Sequence, residues 1–105
     1  MARERLRSRR PCETFNFECN GLSYSASIGR FPDGRLAEIF LSNSKAGSHS
    51  DAAAKDSAVV ASLALQHGVP IETIRKALLR AAQGRASSPL GVVLDIITQA
   101  EGEKP

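Results

Sequence analysis

Aromatic residues make up only 5% of this 105-residue chain, cysteine occurs twice, and no apolar run approaches the roughly 18 residues of a membrane span. A nucleic-acid module that stacks bases needs exposed aromatics on a basic face, whereas Phe15, Phe17, Phe31 and Phe40 read as core or hairpin packing. The N-terminal arginines are not followed by an apolar stretch, so no signal peptide is expected and the chain reads as cytoplasmic. If the segment between Cys12 and Cys19 is a strand, its seven steps of about 3.3 Å hold the two sulfurs about 23 Å apart, beyond disulfide reach. Two free thiols in a reducing compartment are the expectation. A zinc site would need both thiols plus His49 and His67, whose spacing fits none of the usual finger patterns, so no metal is expected.

What is present is an ordinary globular composition, 42% hydrophobic and 24% charged. A chain of this length forms one domain and buries roughly 60 to 70% of its unfolded surface. A deep cleft between two domains is not available within one copy. The net charge of +3 is uneven: Arg3, Arg5, Arg7, Arg9 and Arg10 against Glu4 leave +4 in the first ten residues and −1 in the remainder. Residues 1–12 are therefore expected to be a flexible basic arm, either a solvated tail or a contact for an acidic partner surface or nucleic acid. With Leu6 its only large apolar residue after Met1, the arm has no amphipathic face for a membrane.

Thr14 to Cys19 alternates polar and apolar, as a strand with one buried face does, and Asn20-Gly21 supplies the positive φ angles of a type I′ hairpin. Leu22, Tyr24, Ala26 and Ile28 then mark alternate positions of a second strand. Pro32-Asp33-Gly34 sets a turn, and Leu36 to Leu41 is a third strand, the best buried of the three. Glu38 within it shares a face with Leu36 and Phe40; it reads as a solvated strand residue, or else as a partner for Arg30 or Arg35.

A Ser/Gly loop over 42–50 leads to a helix from about Ala52 to Gln66, capped by Ser50 or Asp51. Val59, Val60 and Leu63 with Ala52, Ala53 and Ala64 make it apolar over much of its circumference, which suits a helix pressed closely on the sheet. Gly68 ends it, and Val69-Pro70 opens a second helix in which Ile71, Ile74, Ala77, Leu78 and Ala81 follow the helical period, with Arg75, Lys76 and Arg80 outward. After the loop 84–88, Ser87-Ser88-Pro89 starts a third helix with Leu90, Val93, Leu94 and Ile97 at i, i+3, i+4 and i+7. The predicted fold is α+β, a three-stranded antiparallel β-meander followed by three α-helices packed on one face. The domain spans 13–99, with a frayed tail over 100–105. Such a sheet has two edges, one of them expected to be paired or covered, and a homodimer is the simplest arrangement that does so.

Reactive groups are scarce. His49 lies beside Ser48 and Asp51, but a triad is assembled by folding rather than by neighbours in sequence. His67 reads as a C-terminal residue that complements the helix dipole. The loops 44–50 and 84–89 each place serines and one cation before a helix start, where free N–H groups favour phosphate. Lys45, Ser48, Arg85, Ser87 and Ser88 are the anion-binding candidates, with plain helix caps as the default reading. Neither loop has the Gly-x-x-x-x-Gly-Lys-Ser/Thr pattern of a nucleotide-hydrolysing loop.

Three segments, "RERLRSRR" over 3–10, "GRFPDGRLAEIFL" over 29–41 and "SLALQHGVPIE" over 62–72, resemble the TSCPD domain family. That family is the small domain near the C-terminus of adenosylcobalamin-dependent ribonucleotide reductases. The resemblance runs from about residue 3 to residue 98, and Arg7 stands where the family's lead-in often has Pro. The catalytic barrel, the corrinoid site and the redox cysteines of the reductase tail have no counterpart in these 105 residues, so the resemblance carries over no catalytic residue and no cofactor.

What it implies is a non-catalytic accessory or regulatory domain of ribonucleotide reduction, the pathway to deoxyribonucleotides. Such a domain would dock on a reductase catalytic chain or a nucleotide through Arg3, Arg5, Arg7, Arg9 and Arg10 and the two anion-prone loops. The alternative is a stand-alone phosphate-ligand or nucleic-acid-binding protein that keeps the fold only.

Overall fold

A computed structural model describes residues 2–6 and 11–102. Three strands, β1 (Cys12–Cys19), β2 (Leu22–Arg30) and β3 (Leu36–Asn43), precede three helices, α1 (His49–Gln66), α2 (Ile71–Ala77) and α3 (Pro89–Gly102). The strands form an antiparallel sheet in the order β1-β2-β3, the expected meander and the expected α+β arrangement. Asn20 and Gly21 both have positive φ, 53° and 78°, which is what lets a two-residue turn join β1 to β2 with Cys19 opposite Leu22.

The register puts Phe17, Tyr24, Ala26, Ile28, Ile39 and Leu41 on one face, and there they are buried. α3 supplies Leu90, Val93, Leu94 and Ile97 to the same core, all buried, as their spacing predicts. The opposite face is polar. Thr14 Oγ1 lies 3.1 Å from Ser27 Oγ, and Ser25 Oγ donates to Asn16 Oδ1 at 2.9 Å, so cross-strand hydroxyls and amides satisfy one another in place of packing.

α1 runs along the outer edge of β3. Its buried stripe is Ala54, Ala58, Ala61 and Leu65, and the three alanines at helical spacing permit close approach. Backbone groups of β3 at Ala37, Ile39 and Asn43 that point away from β2 are met by α1 side chains. Asp51 Oδ1 accepts from Asn43 N at 2.9 Å, Ser62 Oγ accepts from Ile39 N at 2.8 Å and donates to Ile39 O at 3.1 Å, and Gln66 Nε2 donates to Ala37 O at 3.1 Å. A helix therefore covers one sheet edge within the chain, and the edge argument for a second copy applies only to β1.

Four local readings are corrected. The cap of α1 is Ser48, two or three residues earlier than the expected Ser50 or Asp51; its Oγ accepts from Asp51 N at 3.1 Å. Val59, Val60 and Leu63 are not pressed on the sheet but are 57%, 66% and 40% exposed, because the alanine stripe takes that contact. Glu38 is only 4% exposed: its side chain lies over Gly29 of β2, where a Cβ on the glycine would come within 2.8 Å of Glu38 Cγ. α2 ends at Ala77, and residues 80–86 fold into a tight hairpin in which Ala81 N donates to Arg85 O at 2.8 Å and Gly84 has φ 83°.

The α1 terminus closes as its sequence predicts. Gly68 N donates to Leu65 O and Val69 N to Ala64 O, the paired bonds of a glycine-terminated helix, and Gly68 has φ 91°. His67 Nδ1 lies 2.8 Å from Leu63 O, which also accepts the His67 backbone N–H at 3.0 Å, so its ring sits at the carbonyl end of the helix. Cys12 and Cys19 are free thiols at opposite ends of β1; burial pushes the Cys19 thiol upward in pKa.

Candidate functional site

Gln66 is the point where the three family-like segments meet. Its side chain is 5% exposed; Oε1 accepts from Arg3 Nε at 2.6 Å while Nε2 holds Ala37 O, and the backbone carbonyl accepts from Glu4 N at 2.7 Å. Glu4 in turn accepts from Arg35 Nη2 at 3.0 Å. Residues 3–4, 35–37 and 66 are thus locked together, and the described part of the arm is docked on the end of α1. Arg7, Arg9 and Arg10 lie outside the described residues. Arg5 is exposed.

On one side of this junction a groove of about 640 Å³ opens between α1 and the polar face of the sheet. Its α1 wall is Lys55, Val59, Ser62, Leu63 and Gln66, and its sheet wall includes Ser27, Phe40 and Ser42. Phe40, at 53% exposed, stands alone among hydroxyls because β3 alternates and its even positions face away from the core. Exposed Phe40, Val59 and Leu63 converging on one groove is an apolar concentration of the kind that marks contact surfaces. Arg3 lines the same groove beside Gln66.

A second cavity of about 580 Å³ lies across the junction, lined by Phe31, Arg35, Leu36, Leu65, Val69 and Glu101 among others. The guanidinium of Arg35 stacks 4.6 Å over the Phe31 ring and is held by Asp33 Oδ2 at 2.7 Å as well as by Glu4. Arg30 bridges Glu13 and Glu101 at 3.1 and 2.8 Å. The cations on this side are thus neutralised by the chain itself.

The two anion-prone loops are differently used. In the first, Asp51 Oδ1 takes Asn43 N and Oδ2 takes Gly47 N at 3.0 Å, and Lys55 Nζ approaches Oδ2 at 3.0 Å. The backbone N–H bonds, helped by Lys55, hold the Asp51 pKa at about 2. The chain's own carboxylate thus takes two amides at the end of β3 and in the loop, with Ser48 serving as the cap and Lys45 exposed beside it. His49 is exposed, and neither Ser48 Oγ nor Asp51 is turned to it as a triad requires.

In the second loop Ser88 Oγ accepts from Gly91 N at 3.2 Å, Ser87 O accepts from Asn20 Nδ2, and Arg85 is exposed. Behind it, Arg80 donates through both terminal nitrogens to Asp95, at 2.8 and 2.7 Å, and Arg75 Nε adds a third bond at 2.7 Å. Arg80 first, then Arg75, holds the Asp95 pKa at about 2. This cluster ties α2 and the 80–86 hairpin to α3. Among the described residues no three His, Cys, Asp or Glu side chains gather as metal ligands would, and no helix is long and apolar enough to cross a membrane.

Sequence reading put Phe40 in core or hairpin packing and Val59 and Leu63 against the sheet, where the structure has all three exposed, and it gave Lys55 no role. The usable signal was the mixed character of α1, whose large apolar residues and alanines fall on different faces.

The comparisons with known proteins agree on one relationship. The TSCPD domain family matches residues 4–100. A vitamin B12-dependent ribonucleotide reductase of Rhodopirellula baltica is 36% identical over 72 residues, 69% of this chain and 7% of its own length. Those of Agrobacterium fabrum and Streptantibioticus cattleyicolor are 39% and 37% identical over 67% and 68% of this chain, and 6% and 12% of their own lengths. The chain thus spans a small fraction of the curated relatives it matches, and no solved structure matches it. A family match that runs from the docked arm through all three strands and into the last turns of α3 makes this chain a member of the TSCPD domain family.

Proposed function

We propose that this chain is a non-catalytic accessory domain of ribonucleotide reduction that acts by binding protein, with a reductase catalytic chain as its partner. The observation that carries this reading is the contrast between its apolar and ionisable groups. Phe40, Val59 and Leu63 are exposed around one groove, whereas Asp51 and Asp95, the two carboxylates held lowest, are each consumed by internal hydrogen bonds. Carboxylates committed in this way stabilise a fold and are not themselves poised for acid–base work. The relatives support the choice of partner, since in them the matching stretch is a minor part of a reductase.

The test is sedimentation velocity of the full chain mixed with purified vitamin B12-dependent ribonucleotide reductase of Agrobacterium fabrum, at low and high salt. The expected result is a micromolar complex that survives salt, because apolar burial is screened less than ion pairing. Arg5→Glu serves as the control for the arm, since deleting residues 1–10 would also strip Arg3 and Glu4 from Gln66. No complex at either salt concentration would refute the reading. An association abolished by salt and by Arg5→Glu would move the contact to the arm.

A further inference from the structure

The groove along α1 has a cation at each end and apolar side chains between. Lys55, Val59, Ser62, Leu63 and Gln66 lie at i, i+4, i+7, i+8 and i+11, so the helical wall from Lys55 to Gln66 is about 16 Å long. At one end Lys55 is half exposed and gives a single short contact to Asp51, which leaves two of its three N–H donors available. At the other end Arg3 is held through Nε to the neutral Gln66 amide, and among the described residues no carboxylate pairs with it. Between them are the exposed faces of Phe40, Val59 and Leu63, with the hydroxyls of Ser25, Ser27 and Ser42 opposite. Glu38 also lines the groove, but its side chain leans across β2 over Gly29, away from α1, and is itself engaged.

We infer that the groove receives a protein segment with an apolar centre and a carboxylate on each side, the two carboxylates about 16 Å apart so as to meet Lys55 and Arg3. An extended segment spans that distance in about five residues and a helix in about three turns. The charge arrangement selects this occupant over a second copy of the chain. Two copies joined groove to groove would set Lys55 and Arg3 of one against Lys55 and Arg3 of the other in either direction, cation facing cation, which disfavours the pairing. A phosphate polymer is disfavoured as well, because it needs cations along its whole path and, among the described residues, the groove has none between Lys55 and Arg3. The inference rests on the accessory reading for the identity of the chain in which the segment is sought.

The experiment is an array of overlapping peptides tiling the Agrobacterium fabrum reductase, probed with the full chain, with the Val59→Ser/Leu63→Ser double variant and with Lys55→Ala. Circular dichroism confirms that each variant is folded, and binding of the intact reductase is measured in parallel. The expected result is capture by peptides with an apolar centre flanked by Asp or Glu. Affinity should fall about tenfold or more in the double variant and about threefold or more in Lys55→Ala. Capture that ignores the variants, or that selects peptides flanked by Lys or Arg, overturns the inference. If no peptide is captured while the intact reductase still binds, the groove is wrong and the accessory reading stands; if neither binds, both fall. A dimer in sedimentation that the double variant abolishes would make the groove a contact between copies and would equally overturn the proposal.

Discussion

Ser62 Oγ lies between the N–H and the C=O of Ile39, accepting from one at 2.8 Å and donating to the other at 3.1 Å. One hydroxyl thus substitutes for the partner strand that β3 lacks on its outer side. Ser62→Ala leaves both groups of Ile39 unpaired at a half-buried site, and the expected loss is about 1–3 kcal/mol in urea unfolding. A loss below about 0.5 kcal/mol would show that water satisfies that edge and that α1 does not seal it.

Gln66 gathers the arm, β3 and α1 at one buried amide. Gln66→Ala removes the donor to Ala37 O and the acceptor for Arg3, and is expected to cost about 1–3 kcal/mol. Arg3→Ala should add little once Gln66 is gone, since the two share one bond. Additive losses in the double-mutant cycle would contradict the junction.

The packing of Glu38 over Gly29 gives a third outcome. A methyl group at Gly29 would meet Glu38 Cγ at 2.8 Å, and because Glu38 is buried and engaged it has little room to move. Gly29→Ala is expected to destabilise by about 1–3 kcal/mol. In combination with Glu38→Ala its cost should shrink, which chemical unfolding of the single and double variants would read directly. An unchanged cost of the methyl in the Glu38→Ala background would disprove the clash.

Asp51 predicts an acid-side dependence. Its pKa is lowered from 3.8 to about 2 by bonds from Asn43 N, Gly47 N and Lys55, so the folded state favours the carboxylate more than the unfolded chain does. The stability it contributes is complete above roughly pH 4 and is lost as the pH falls through about 2. Asp51→Asn should therefore lower the thermal midpoint at neutral pH, and the gap to the native chain should narrow between about pH 4 and pH 2. A gap that stays constant to the lowest pH would mean that the Asp51 charge contributes nothing.

Much of the fold was legible because its signals are local. Asn20-Gly21, Pro32-Asp33-Gly34 and Gly68-Val69 fix turns through φ preferences that neighbours do not override, and the i, i+3, i+4, i+7 spacing of Leu90, Val93, Leu94 and Ile97 fixes the buried face of α3. α1 was not legible in orientation. Two apolar faces compete along it, and the one with three alanines is buried because small side chains let the helix come close enough to hydrogen-bond a strand edge. The same contact turns Val59 and Leu63 outward and creates the groove.

The end of α2 was hidden for a related reason. Arg80 leaves the helical period to chelate Asp95, a partner fifteen positions away that no local pattern announces. Glu38 looked solvated because strand alternation reports a face and not what lies over it.

The central claim is that the surface used for partner binding is the groove between β3 and α1, and amide hydrogen exchange of the full chain with and without the Agrobacterium fabrum reductase tests it most directly. The account predicts slower exchange in residues 38–42 and 55–66 when the reductase is added, with the loops 44–50 and 84–89 unchanged. Protection confined to those loops, or no protection anywhere in a sample where the complex is present, would contradict it.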